Sequence, residues 1–401
     1  MYTRNAYLSR IRSFLGKPVV KVITGMRRVG KSTLLRQVID VLHADGVADD
    51  RILYVDMESL DFEHIRSYRE LQAEAKRSLL KQPGMKYLLV DEVQEIAEWE
   101  RAVASLAGRG DVDILLTGSN AHLFSSELAT RLSGRYIEFP VYALGLGEYL
   151  QFRGVGKKDV QSELLDFLRF GGLPAIHHFG LDEEMVYQYV GSIYNTILLK
   201  DIVKRHQVRN VELLEKVARY LFDNIGNVMS AKSIADYVKS QRLQVGVETV
   251  QNYLGYFREA LIAHRVQRYD LKGKRLLEIH DKYYLGDIGI RHAVLGYREG
   301  DIGGVLENVV FLELLRRGYQ VHVGKLDTRE IDFIATRAKE RRYIQVAYLL
   351  ATPQVVEREF GVLRDIPDNY PKCVISMDTA FGEDIGGIRR QNLADFLLEE
   401  P

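Results

Sequence analysis

Short apolar runs alternate with longer stretches of helical spacing through the first third of the chain. Val19 to Thr24, RILYVDM (51–57), Met85 to Val90, Val112 to Thr117 and YIEFPVYAL (136–144) have the length and composition of buried strands. Between them, residues 3–15, Thr33 to Leu42 and 67–82 carry apolar side chains at helical intervals. This alternation predicts a five-stranded, mostly parallel sheet that takes its ligand at the carboxyl ends of the strands. Beyond Gly171-Gly172-Leu173-Pro174, a turn cluster predicted to act as a hinge, the period is helical over 182–206 and 211–224. Ser230 is a predicted N-cap for AKSIADYVKS, and ETVQNYLGYFREALI follows with Val250, Tyr253, Leu254 and Phe257 on one face. HRVQRYDLKGKRLLEI then reads as two strands around Lys272-Gly273-Lys274. From about residue 300 a helix (ENVVFLELLRRG) precedes the strands YQVHVGK, EIDFIA and YIQVAY, a helix over 354–366 and the strand KCVISMD.

The first strand and helix bracket Gly25-Met26-Arg27-Arg28-Val29-Gly30-Lys31-Ser32, which fits G-x-x-x-x-G-K-[ST]. Glycines turn the backbone so that several N–H groups point inward, and the helix N-terminus adds partial positive charge. Residues Gly25 to Thr33 are therefore candidates for cradling the phosphates of a nucleoside triphosphate, with Lys31 at the β and γ phosphates and the Ser32 hydroxyl on Mg²⁺. The third strand closes on Asp91-Glu92. In this setting Asp91 is a candidate for holding the metal and Glu92 for polarising the attacking water, although such acidic pairs also cap helices. The fourth strand ends in Gly118-Ser119-Asn120, where Ser119 or Asn120 either positions the water or caps a helix. Arg131 and Arg135 follow, either as donors to transition-state charge in a neighbouring subunit or as solvated arginines.

ITGMRRVGKSTLL, LLVDEVQEIAEWE, LLTGSNAHLFSSELATRLSGRY and FGGLPA together resemble the large prokaryotic family of AAA-type ATPases that carry a C-terminal domain of unknown function. The resemblance extends over nearly the whole chain. It implies ATP and Mg²⁺ as ligands, a sensor at Ser119-Asn120 and an arginine finger at Arg131 or Arg135. At LGLGEYL (144–150) the chain departs from relatives, which usually have serine and an aromatic residue before the glutamate.

The expected fold class is α/β: a P-loop NTPase parallel sheet over 1–170, a helical and winged-helix domain over 171–299, and an α/β restriction-endonuclease-like domain over 300–401. In the middle domain, Thr249, Gln251 and Asn252 lie on the predicted recognition helix, next to Arg265, Arg268, Lys272, Lys274 and Arg275. These residues are candidates for DNA contact, or else the module serves oligomerisation or lid movement. Glu307, Asp332 and Gln345 follow the residue order of a nuclease core, but Ala347 stands where its lysine belongs. A domain that no longer cuts is the expectation, with Lys325 the one lysine placed to compensate.

Composition narrows the partners. At 401 residues, 46% hydrophobic and 27% charged, the chain has the make-up of a globular protein of two or three domains. Zero net charge confines any basic surface to a local patch. The lone Cys373, in the apolar run KCVIS, excludes an intramolecular disulfide and a multi-cysteine zinc site. No signal peptide or membrane-length apolar run is present, so a cytoplasmic location is expected. The expected activity is ATP hydrolysis by a DNA-associated homo-oligomer. The alternatives are an ATP-dependent regulatory or defence scaffold and an ATP-driven nuclease.

Overall fold

The computed structural model describes residues 2–121, 132, 134–155, 160–379 and 384–399. Two compact units form: Met1–Val141 with Glu259–Leu261, and Tyr142–Arg258 with Ile262–Pro401. No helix among the described residues is long and apolar enough to cross a membrane.

The first unit is built on five strands: β1 (Val20–Thr24), β2 (Ile52–Asp56), β3 (Lys86–Asp91), β4 (Val112–Gly118) and β5 (Tyr136–Pro140). All pair in parallel, in the order β2-β3-β4-β1-β5. Strand alternation sorts their side chains. Val20, Val22, Leu88, Val90, Ile114 and Leu116 join Leu71, Ala75, Trp99, Val103 and Leu106, from helices α3 (Tyr68–Ser78) and α4 (Trp99–Ala107), in one core cluster. Ile23, Leu89 and Leu115, on the opposite face, are just as buried. Burial on both faces explains why these strands read as continuous apolar runs. On the carboxyl side of β1 the chain turns into helix α2 (Lys31–Ala44), and helix α1 (Asn5–Arg12) packs beside α2.

A fully buried ion pair interrupts this apolar sheet. Lys21 Nζ donates to Asp113 Oδ1 at 2.5 Å and to the Lys17 carbonyl at 3.0 Å, while the Gly16 N–H reaches Asp113 Oδ2 at 2.6 Å. Both side chains are essentially unexposed. Burial pushes the Lys21 ammonium below and the Asp113 carboxyl above their usual ranges, against the attraction between them. The pair thus fastens the loop entering β1 at a large desolvation cost. Lys21→Met or Asp113→Asn alone is expected to cost about 3–5 kcal/mol, because each strands a buried partner. Lys21→Met/Asp113→Leu is expected to recover most of that loss. A double-mutant cycle on chemical unfolding midpoints measures it, and singles near wild type would show that the pair does not hold the loop.

The second unit opens with helices α5 (Leu146–Arg153), α6 (Val160–Phe170) and α7 (Glu183–Thr196), the last running on as a π-helical turn, Ile197–Lys204. Helices α8 (Val211–Asp223), α9 (Ala231–Ser240) and α10 (Val247–Glu259) follow. Ser230 caps α9 as expected, accepting from the Ser233 N–H at 3.0 Å. Strands β6 (Ala263–Val266) and β9 (Lys282–Leu285) pair antiparallel, and β9 leads into helix α11 (Ile288–Leu295). Next come helix α12 (Ile302–Arg316), strands β10 (Gln320–Leu326), β11 (Arg329–Arg337) and β12 (Glu340–Val346), helix α13 (Pro353–Arg364), strands β13 (Lys372–Ser376) and β14 (Arg389–Asn392), and helix α14 (Leu393–Leu398).

Two expectations differ from what formed. Gly171-Gly172 is a packed joint: the Gly172 N–H donates to Asp287 at 2.7 Å, and its carbonyl accepts from the Leu144 N–H at 2.7 Å. A Cβ at Gly172 would run into the Leu144 backbone, so the glycine serves close approach. The basic hairpin also pairs elsewhere. Strands β7 (Arg268–Asp270) and β8 (Arg275–Leu276) extend the C-terminal sheet, in the order β14-β13-β12-β11-β10-β7-β8, with β7 parallel to β10. Pairing across some fifty residues of sequence satisfies the β10 edge, and local pattern carries no sign of it.

Candidate nucleotide site

Parallel strands place their carboxyl ends along one edge, and there the sheet brings together the ends of β1, β3 and β4. After β1, Gly25 lies so close to the Val141 carbonyl oxygen that a Cβ would collide with it, and with Val29 Cγ2 at 3.0 Å. Arg28 (φ 69°) and Gly30 (φ 98°) take left-handed backbone, which curls the loop onto the N-terminus of α2. Met26, Arg27, Val29 and Lys31 are buried, Gly30, Ser32 and Thr33 half-buried, and Arg28 is exposed. Lys31 Nζ donates to the Met26 carbonyl at 3.3 Å and lies 3.5 Å from Glu92 Oε1.

The acidic pair is held from β4. Thr117 Oγ1 donates to Asp91 Oδ1 and accepts the Glu92 N–H at 2.9 Å, which supports the left-handed backbone of Glu92 (φ 53°). Ser119 Oγ donates to Glu92 Oε2 at 3.1 Å, and Gln94 donates to the same oxygen. Ser32 and Tyr54 also reach Asp91, the latter at 3.2 Å. Burial raises the Asp91 carboxyl above its usual range, the Thr117 and Ser32 hydroxyls opposing. Burial works in the same direction on Glu92, but Lys31, Gln94 and Arg27 outweigh it and bring Glu92 below the usual range. Glu92 is consequently an ionised carboxylate in a nearly dry site at neutral pH, with the chemistry of a base.

Several functional side chains had no sequence signal. Thr117 read as the last residue of a strand, and Gln94 stood within the motif LLVDEVQEIAEWE with no role assigned to it. Arg4, before α1, donates from Nη1 to the Val29 carbonyl at 3.1 Å, bracing the phosphate-binding loop from outside it. Arg27 is 6% exposed and pairs with Glu58, after β2, at 3.2 Å, and Glu58 itself is half exposed. Asn120, just past the end of β4, is buried. Arg135 is exposed just before β5, at the sheet edge opposite the loop, so the fold does not bring it to the site. Arg131 lies outside the described residues.

This sheet, loop and acidic pair define an ATPase of the P-loop class. Residues 17–150 match the family model described as AAA domain, and residues 161–301 match a domain of unknown function (DUF8612). The chain is 36% identical over 404 residues to an uncharacterized protein of Haemophilus influenzae, covering 100% of this chain and 99% of that one. It belongs to that protein's family. An uncharacterized protein of Methanocaldococcus jannaschii is 29% identical over 349 residues, covering 82% of this chain and 75% of that one. A Walker-type ATPase of Pyrococcus abyssi shares the fold, with TM-score 0.52 and 15% identity over 73% of this chain and 96% of that one. The protein binds and hydrolyses ATP.

Thr117 bonds both acidic residues, so Thr117→Val, close in shape, removes two hydrogen bonds at once. A loss of about 1–3 kcal/mol in stabilisation of the turnover complex is expected, roughly 5- to 150-fold in kcat/KM. Steady-state turnover across magnesium concentrations reads it. A Thr117→Val enzyme indistinguishable from wild type would show that this support is dispensable.

Proposed function

We propose that the protein is a Mg²⁺-dependent ATPase that works as a switch on DNA, with Glu92 as base and Lys31, Arg27 and Asp91 as its charged partners. The observation that carries this reading is Lys31, Asp91, Glu92 and Ser119 gathered at one sheet edge around the phosphate-binding loop. The donor set suits magnesium: a half-buried hydroxyl, Ser32, against the Asp91 carboxylate, both oxygen ligands. Bound there by Ser32 and Asp91, the ion would neutralise phosphate charge. Glu92 accepts the proton of the attacking water at Oε, while Ser119 and Gln94 fix the direction of that carboxylate. Lys31 exchanges its contact with Glu92 for the β and γ phosphates.

Arg27 is the in-chain source of positive charge for the transferring phosphoryl group. Of the two loop arginines it is the buried one, and its charge already acts on Glu92. The exposed Glu58 holds it until nucleotide competes for it. A second arginine from a neighbouring subunit, Arg131 or Arg135, belongs to the homo-oligomeric form of this proposal.

Helices α8 to α10 followed by the antiparallel pair β6 and β9 support a winged-helix reading of this segment, and the element order α12-β10-β11-β12-α13-β13 supports a restriction-endonuclease-like reading of the last one. Of the basic residues proposed for DNA, Arg265 is paired with Asp281 at 2.6 Å, and Arg268 is half-buried in β7. Lys272, Lys274 and Arg275 are exposed at the hairpin turn and form the proposed phosphate-contacting set.

Glu92→Gln is expected to bind ATP and lose nearly all turnover, and Lys31→Ala to lose binding as well. Arg27→Met is expected to bind ATP, lose about 10³-fold or more in kcat, and shift the acid limb of the pH–rate profile upward. The shift is upward because removing a cation raises the Glu92 pKa, so less base is ionised at a given acidic pH. Nucleotide binding and kcat, measured separately across pH, decide this; full turnover by Glu92→Gln would reassign the base.

Neutralising Lys272, Lys274 and Arg275 together is expected to reduce the slope of log affinity against log salt by about three units. A fluorescence anisotropy titration with duplex DNA measures it. An unchanged slope moves the DNA contact elsewhere, and no binding at low salt, with or without ATP analogue, makes the module one for protein contact.

A further inference from the structure

A second charged centre lies far along the chain from the nucleotide-binding motifs, within the second unit. Three carboxylates converge on it: Glu307 from α12, and Glu330 and Asp332 from β11. Between them sits the ammonium of Lys282, the first residue of β9, at 2.7 Å from Glu330, 3.0 Å from Glu307 and 3.6 Å from Asp332. Tyr284, on the same face of β9, donates its hydroxyl to Glu307 at 2.8 Å. The Val346 N–H donates to Asp332 Oδ2 at 2.9 Å. Gln345 faces elsewhere, accepting from the Asp332 N–H at 2.7 Å and donating to Glu359 at 2.8 Å.

Glu307 and Asp332 are largely buried and the Glu330 side chain is 32% exposed, and three carboxylates gathered this closely call for a cation or protons among them. The side chain of Lys282 is 2% exposed, so its charge has little else to interact with. Burial raises the Glu307 and Asp332 carboxyls above their usual range, and the Lys282 charge opposes it. A divalent ion at this point would have to displace the ammonium, because two cations cannot occupy one centre.

We propose that Lys282 is the resident cation of this centre: its ammonium holds the place of a divalent ion, and the centre joins β9 to α12 and β11 instead of taking a metal. Asn308, next to Glu307 on α12, supports the joint. Its amide donates to the Leu285 carbonyl at 2.9 Å and accepts the Leu285 N–H at 2.7 Å, so both ends of β9 are fastened to one helix. The cation among these carboxylates thus comes from a segment that precedes α12. A fragment beginning at residue 300 therefore lacks the charge that makes its own acidic centre tolerable. This inference is independent of the ATPase reading.

The test titrates full-length, nucleotide-free protein with MnCl₂ by calorimetry. Wild type and Asp332→Asn are expected to give the same isotherm, because no Mn²⁺ enters the centre. Lys282→Met keeps the stem and removes the charge, and is expected to gain one Mn²⁺ site at least about tenfold tighter than any wild-type binding that Asp332→Asn affects. Lys282→Met/Asp332→Asn is expected to lose that site, and MnCl₂ to raise the melting temperature of Lys282→Met alone. Wild-type Mn²⁺ binding, or Mn²⁺-dependent plasmid cleavage, that disappears in Asp332→Asn overturns the proposal. So does a folded Lys282→Met protein that gains no site. Where Lys282→Met does not fold even with MnCl₂, the comparison of wild type with Asp332→Asn decides.

Discussion

An ammonium and a carboxylate 3.5 Å apart, Lys31 and Glu92, set the terms for the nucleotide unit. In water such a pair is worth little, but with Glu92 only 7% exposed each charge depends on the other. Lys31 starts α2, next to β1, while Glu92 follows β3, and β4 runs between these strands. That middle strand supplies what the pair needs. Thr117 holds the Glu92 backbone in a left-handed conformation that costs about 1–2 kcal/mol, and Ser119 turns the carboxylate. Arg4 braces the loop at the Val29 carbonyl, and Gly25 lets it approach the Val141 carbonyl. Lys31, Gln94 and Arg27 together keep the Glu92 carboxylate ionised in spite of its burial.

The two units meet the same difficulty, charges grouped away from water, in opposite ways. Lys31 has one carboxylate near it and a carbonyl at 3.3 Å, so its charge is available to a phosphate. Lys282 has three carboxylates within 3.6 Å and nothing left to offer. The first arrangement is poised for exchange, and the second is saturated. The count of partners, not the identity of the residue, separates a working lysine from a fastening one.

What was legible in the sequence follows the range of the interactions concerned. The five strands, the loop and the acidic pair are local patterns, and each formed within a few residues of its expected span. The Ser230 cap is equally local. Thr117, Arg4 and Lys282 gain their roles only from neighbours 25 or more residues away, and no spacing rule reaches so far. Gly171-Gly172 misled for a related reason. Glycine marks both free turns and tight contacts, and only the Leu144 backbone against Gly172 tells which.

The hairpin carrying Lys272, Lys274 and Arg275 shows what such long-range pairing does for mechanism. A free-standing wing bends at its base and absorbs the force of whatever it touches. Here β7 hydrogen-bonds to β10 along Val323, Gly324 and Lys325, and β10 continues through β11 into the rest of the sheet. Lys282, at the start of β9, grips β11 of that same sheet, and Asn308 grips the other end of β9. The basic turn is therefore tied to the sheet by the β7–β10 pairing, and the same sheet is tied to β9 and α12 through the Lys282 centre. With β7 paired on both sides in this way, the basic turn is the edge of a seven-stranded sheet and not a free-standing wing.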